Sequence, residues 1–169
     1  MNRPIFRALS IIINLGLLQL TTGCSQELSQ PIEVVFYNVE NLYDTVDDTL
    51  VLDNEFLPDS ANNWTEERYA KKLVDLAKVL TAISQDGLPE VVGVCEIENR
   101  KVVEDLFKTD SLGKVKFKVI HENSPDARGI DVALAYNSEL LSELYHEKLN
   151  VFFDFEPETT TRDILYAKL

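Results

Sequence analysis

Two runs of apolar residues in this chain stop abruptly on polar side chains. Val91 to Cys95 is wholly apolar and ends in Glu96, Ile97 and Glu98; Ile32 to Tyr37, read IEVVFY, is followed at once by Asn38, Glu40 and Asn41. Both runs are short and rich in β-branched or aromatic residues, so both are expected to be buried strands, the first buried on both faces. Between them the apolar period changes. Tyr69, Leu73, Leu76, Ala77, Leu80 and Ile83 recur at helical spacing, Asn63 or Thr65 is placed to cap, and Glu66 and Glu67 suit the positive end. Arg68, Lys71, Lys72 and Lys78 lie largely off that stripe and read as a solvated face. Gly87 and Pro89 close the connection, which makes a strand–helix–strand crossover.

Further along, Asn99 can cap a second short helix through Val102, Val103, Leu106 and Phe107. Lys116 to His121 alternates charged and apolar residues, as a half-exposed strand does, and NSPDARG is a turn-rich loop leading into a buried strand from Ile130 to Tyr136. Glu143–Phe155 and Arg162–Leu169 carry further strand-like runs. Many strands with few helices point to an α+β layered fold. The stretch from Asp44 to Asn63 is loop-like and acidic. Its segment DTVDDTLVLDNE puts Asp44 and Glu55 at the first and twelfth places of a calcium loop, but Val46 stands at a ligand place and Thr49 where the turn needs glycine, so a solvated acidic loop is expected.

The first residues have a different character. Arg3 and Arg7 precede an apolar run from Ala8 to Leu20, and small residues lead to Cys24, the layout of a secretory signal over residues 1–23. Thirteen residues fall short of the ~20 that span a bilayer as a helix. LTTGC resembles the lipobox of bacterial lipoproteins, with Thr21 where leucine is usual, which implies lipidation of Cys24 and an exported, membrane-anchored protein facing the periplasm or the cell exterior. Residues 24–31 then form a polar tether ending in proline, and residues 32–169 the domain.

Composition changes this picture in two respects. The chain has 169 residues, 45% of them hydrophobic, enough for one domain with a real core. Its net charge is −13, falling to −15 once residues 1–23 with their two arginines are removed, so no general basic field gathers nucleic acid and an anionic substrate needs a local cation. Cys24 and Cys95 are the two cysteines; no disulfide framework or zinc spacing exists, and Cys95 among valines reads as a small core residue.

If the strands ending at Asn38 and Glu96 are neighbours, a carboxylate and a carboxamide oxygen meet at one sheet end. Such oxygens suit a hard divalent ion, magnesium above all, which uses one or two carboxylates and keeps several waters. By spacing alone Glu96 serves equally well as a strand cap facing water, and Asn38 as the closure of a turn. His121 and His146 read as ordinary polar positions rather than general bases.

FYNVENLYD, GVCEIEN and SPDARGIDVALAYN, in that order, resemble the first three motifs of the endonuclease/exonuclease/phosphatase family, metal-dependent phosphoesterases related to DNase I and exonuclease III. The resemblance runs from about Ile32 to Leu169. It implies a DNase I-like sandwich of two mixed sheets flanked by helices, α+β in class. It further implies that Glu96 is a metal ligand, that Asn38 binds metal or phosphate, that Glu40 is an acid beside the metal, and that Arg128 meets substrate phosphate. Asp131 belongs to the third motif without an assigned role. The implied cofactor is magnesium, with manganese or calcium as alternatives, and the implied substrate a phosphoester, either nucleic acid or small molecule.

Relatives continue with a histidine-bearing strand, a Gly-Asp-x-Asn motif and a terminal Asp-His pair, none of which occurs in this sequence. The expectation is therefore an N-terminal part of the domain, incomplete at its C-terminus and inactive alone. The competing expectation is a non-catalytic, lipid-anchored ligand-binding protein or gene remnant. Within the enzyme class, the negative charge favours small phosphoesters or lipid headgroups over nucleic acid.

Overall fold

A computed structural model of the chain describes residues 31–84 and 87–169; the leader, Cys24 and the tether as far as Gln30 lie outside the described residues. The elements run β1 (Val34–Leu42), α1 (Glu66–Ile83), β2 (Val91–Ile97), α2 (Arg100–Phe107), β3 (Phe117–His121), β4 (Asp131–Asn137), β5 (Tyr145–Leu149) and β6 (Ile164–Lys168), with one 3-10 turn at Asn54–Phe56. Among the described residues no helix is long and apolar enough to cross a membrane.

Each helix starts where its cap dictates. Thr65 Oγ1 accepts the Arg68 N–H at 3.4 Å, and Asn99 Oδ1 accepts the Val102 N–H at 3.1 Å. Helix α1 buries Tyr69, Leu73, Leu76, Ala77 and Leu80, while Ile83 at its end stays exposed. Each large side chain withdrawn from water on that stripe contributes roughly 1.5–3 kcal/mol. Helix α2 buries Val102, Val103, Leu106 and Phe107, and the Phe107 ring sits 4.6 Å from that of Phe117 on β3.

The main sheet has the order β1-β2-β4-β3. Strand β2 runs parallel to β1, β4 antiparallel to β2, and β3 antiparallel to β4. The ends of β1, β2 and β3 and the start of β4 therefore share one rim. On one face of the sheet Val39, Val92, Val94, Ile97, Ala133 and Ala135 pack with both helices. On the other, Val91, Ile120 and Tyr136 are covered by Leu165, Ala167 and Leu169 from the second sheet, the antiparallel pair β5–β6. The result is the expected α+β fold with two sheets facing each other and helices outside.

Several details differ from the sequence reading. Strand β1, expected to be a buried strand, is open to water on one face: Val34 and Phe36 are 67% and 70% exposed. It is the edge strand, and the second sheet covers only β2, β4 and β3. Phe36 lies over Gly93, where an added Cβ would come within 2.8 Å of its ring. Cys95 is half-buried on that same face rather than in the core, with burial pushing its thiol up. The acidic loop is not fully solvated either. Asp44 and Asp53 are buried because each accepts loop N–H groups, Asp44 Oδ1 from Val46 and Asp53 Oδ2 from Asp48, both at 2.8 Å.

Candidate functional site

Strands β1 and β2 both lose regular pairing at the shared rim. Asn38 pairs with Cys95, and the next partners are Leu42 and Ile97; β2 also slips against β4 between Cys95 and Ile97. The strands thus do not end at Asn38 and Glu96, as the sequence suggested, but pass through bulges there. Within those bulges Glu40, Asn41 and Glu96 take φ values of 54°, 60° and 63°. A left-handed conformation costs a residue with a Cβ roughly 1–2 kcal/mol, and such strain gathers where a fold must aim a side chain.

The surrounding hydrogen bonds hold the strained segment in place. Asn38 Oδ1 accepts the Glu40 N–H at 2.8 Å, and Leu42 O accepts the Glu98 N–H at 3.0 Å. From α1, Lys72 Nζ donates to the Glu40 carbonyl and, at 3.1 Å, to that of Asn41. Lys72 is therefore not part of a solvated face. Burial lowers its ammonium pKa, the charges of Glu40 and Glu96 oppose that, and the Trp64 ring centroid lies 5.6 Å away.

Glu96 projects from its bulge half-buried, with Oε1 3.7 Å from Arg162 Nη1. Its charge also acts on Arg128. Arg128 arrives on the β3–β4 loop, 55% of its side chain exposed, and is held by Asp126, which accepts the Arg128 N–H at 2.9 Å and lies 3.3 Å from both Nε and Nη2. Tyr43 Oη donates to the Arg128 carbonyl at 2.6 Å. The same Tyr43 stacks on Phe56 at 4.0 Å, and its own carbonyl accepts the Trp64 indole N–H at 3.0 Å. Burial, then the charge of Glu98, pushes the Tyr43 hydroxyl up to about 12. Glu98 is engaged by the loop after β1 instead. It accepts the Asp44 N–H at 2.7 Å, and burial pushes its carboxyl up to about 7, against that hydrogen bond and with the charge of Asp44 adding.

Asn38, Glu40 and Glu96 thus lie on two adjacent bulged strands, and Arg128 approaches from a third direction. Cys24 lies outside the described residues. Sequence reasoning missed Lys72, Tyr43 and Arg162. Tyr43 sat inside the first motif and was readable as part of it, whereas nothing marks Arg162, which reaches the rim only through the course of the second sheet.

Among the described residues no three His, Cys, Asp or Glu side chains converge in a way that could hold a metal ion. The rim offers the Glu96 carboxylate and the Asn38 amide oxygen, with the exposed Glu40 carboxylate on the same bulge. That donor set suits a hydrated, hard divalent ion such as magnesium, which keeps most of its water, and does not suit an all-protein cage. The Asn38 oxygen has a second lone pair beyond the one given to Glu40, so both roles are compatible.

The sequence matches the model of the endonuclease/exonuclease/phosphatase family over residues 33–168. No curated protein and no solved structure matches it.

Proposed function

The chain belongs to the endonuclease/exonuclease/phosphatase family, and on that premise we propose that it serves metal-dependent hydrolysis of a phosphoester by in-line attack of water. The observation that supports the reading is that Asn38 pairs with Cys95, the residue before Glu96, where both strands bulge and Glu40, Asn41 and Glu96 take left-handed φ values. Glu96 and Asn38 would hold magnesium, which when bound there neutralises phosphate charge and activates water. Arg162, 3.7 Å from Glu96, and Arg128, its fork braced by Asp126, offer guanidinium groups that can meet phosphate oxygens. Glu40, exposed at the same bulge, contributes a further negative charge toward the metal.

Turnover is proposed to need the histidine and Gly-Asp-x-Asn elements that residues 1–169 do not contain. The test therefore has two arms. Magnesium should bind the chain itself, seen as a saturable calorimetric signal that Glu96→Gln removes. Protein that also includes those elements should hydrolyse at least one of DNA, a phosphodiester dye and sugar phosphates with magnesium and not with chelator. Equal turnover in chelator overturns the metal assignment. The charge of −13 favours small phosphoesters or lipid headgroups as substrate. We further propose export and anchorage through lipid on Cys24. Cys24→Ala should abolish incorporation of labelled fatty acid, and label retained in that variant overturns the assignment.

A further inference from the structure

His121 closes β3 and is 6% exposed. Its Nε2 lies 2.9 Å from Asp131 Oδ2, and the other carboxylate oxygen of Asp131 accepts the Ser124 N–H at 2.7 Å. The buried carboxylate is fully engaged and fixes the ring. Nδ1 makes no hydrogen bond among the described residues, and His121 is one of the residues lining an open cavity of about 500 Å³.

Three of the other six residues lining it are cations, against a chain of net charge −13. Arg100, Lys101 and Lys148 all line it. Arg100 donates to the carbonyls of Val119 at 2.6 Å and His121 at 3.3 Å, Lys101 to Asp105 at 2.6 Å, and Lys148 to the Asn123 carbonyl at 2.7 Å. These bonds hold the heads in place and leave each with unused donors. Lys148 also lies 3.7 Å from Asp163, and Lys101 4.0 Å from Asp44. Glu122, the one acid in the wall, is held by His146 Nε2 at 3.0 Å. Helix α2 begins at this cavity, and since Asn99 caps only the Val102 N–H, other N–H groups of its first turn have no intrahelical partner.

We propose that this cavity binds a phosphate group. Arg100, Lys101 and Lys148 supply donors and positive charge to the phosphate oxygens, and His121, its ring fixed by Asp131 through Nε2, lines the same wall. Asp131 pairs with Ile97, the residue after Glu96, and β3 is the next strand beyond, so two strand spacings put His121 about 10 Å from the Glu96 rim. Resting on the phosphoesterase reading above, the phosphate held here is a second one on the substrate, which makes the substrate class a molecule with two phosphate groups rather than a simple monoester.

The chain has two histidines, so the ring resonances of the full chain can be assigned with His146→Gln and followed in chelator at constant pH and ionic strength. Adding inorganic phosphate should shift the His121 signal saturably, while chloride should not. Lys148→Gln and Lys101→Gln should each weaken the binding about three- to tenfold, and Glu96→Gln should leave it unchanged. No saturable shift, no effect of either lysine substitution, or loss in Glu96→Gln overturns the site. Because chelator is present, absence of hydrolysis elsewhere does not affect this result. With magnesium added, an alkanediol bisphosphate long enough to span both sites should bind at least tenfold more tightly than inorganic phosphate; equal binding overturns the two-phosphate substrate and leaves the cavity assignment to the first arm.

Discussion

Lys72 on α1 donates to the carbonyl of Asn41 at 3.1 Å and so ties the crossover helix to the left-handed segment of β1. It shares itself with the Glu40 carbonyl as well, and both carbonyls belong to residues that the ordinary strand ladder no longer serves. Lys72→Met keeps the apolar stem over Trp64 and deletes the donor. Stability should fall by about 1–3 kcal/mol, read from urea unfolding, because two carbonyls lose a charged partner. A change within about 0.5 kcal/mol would mean that the bulge holds itself.

Sequence reasoning found the elements that rest on local signals. The stripe through Tyr69, Leu73, Leu76 and Leu80 and the cap at Thr65 specify α1 without reference to anything distant. What it missed depends on the neighbour. IEVVFY is apolar enough for either a central or an edge strand, and only the reach of β5–β6 leaves Val34 and Phe36 in water. Asp44 and Asp53 are inside because they collect loop N–H groups, a role that composition does not encode. At the candidate site the polar residues after each strand were legible. Their left-handed backbone, the Lys72 brace and the partner Asp131 provides for His121 were not, since each arises from chain segments meeting in space.

Two glycines should respond differently to alanine. At Gly129, φ is +66° and a Cβ would fall 2.5 Å from Val51 Cγ2 and 2.6 Å from its Cβ, in a loop that also carries Arg128. Backbone strain of roughly 1–2 kcal/mol and overpacking of roughly 1–3 kcal/mol combine there. At Gly93 the nearest atom is the ring of Phe36, an exposed side chain free to swing away. Thermal melts should show Gly129→Ala several degrees below Gly93→Ala, and the reverse order would contradict the loop packing.

His146 on β5 holds Glu143 at 2.6 Å and Glu122 at 3.0 Å, and hydrogen bonds to Glu143 first, then Glu122, raise its pKa. A raised imidazole pKa means the folded chain binds the proton more tightly than the unfolded one. The contribution is complete below the ordinary histidine value of 6.5 and is lost as pH rises through the raised value. For a partly exposed pair it amounts to about 0.2–1 kcal/mol. Denaturant unfolding at pH 6 and pH 9 should therefore show the parent chain losing that much relative to His146→Gln, and parallel behaviour of the two would remove these ion pairs from the account.

Glu96 sits at φ +63°, where a side chain is strained, and among the described residues its carboxylate accepts no hydrogen bond, with Arg162 at 3.7 Å. Strain at such a position is what the proposed metal role of Glu96 accounts for. Glu96→Gly and Glu96→Ala remove the same carboxylate and the same Arg162 contact, so their difference isolates the backbone. Glycine relieves roughly 1–2 kcal/mol of left-handed strain and gives back part of that gain through the greater freedom of its unfolded chain. The glycine variant should accordingly be more stable than the alanine variant by roughly 0.5–1 kcal/mol in denaturant unfolding. Both should lose the magnesium-dependent rise in melting temperature expected of the parent chain. A glycine variant no more stable than alanine would show that the bulge relaxes on substitution, and a magnesium response persisting in both would move the metal away from Glu96.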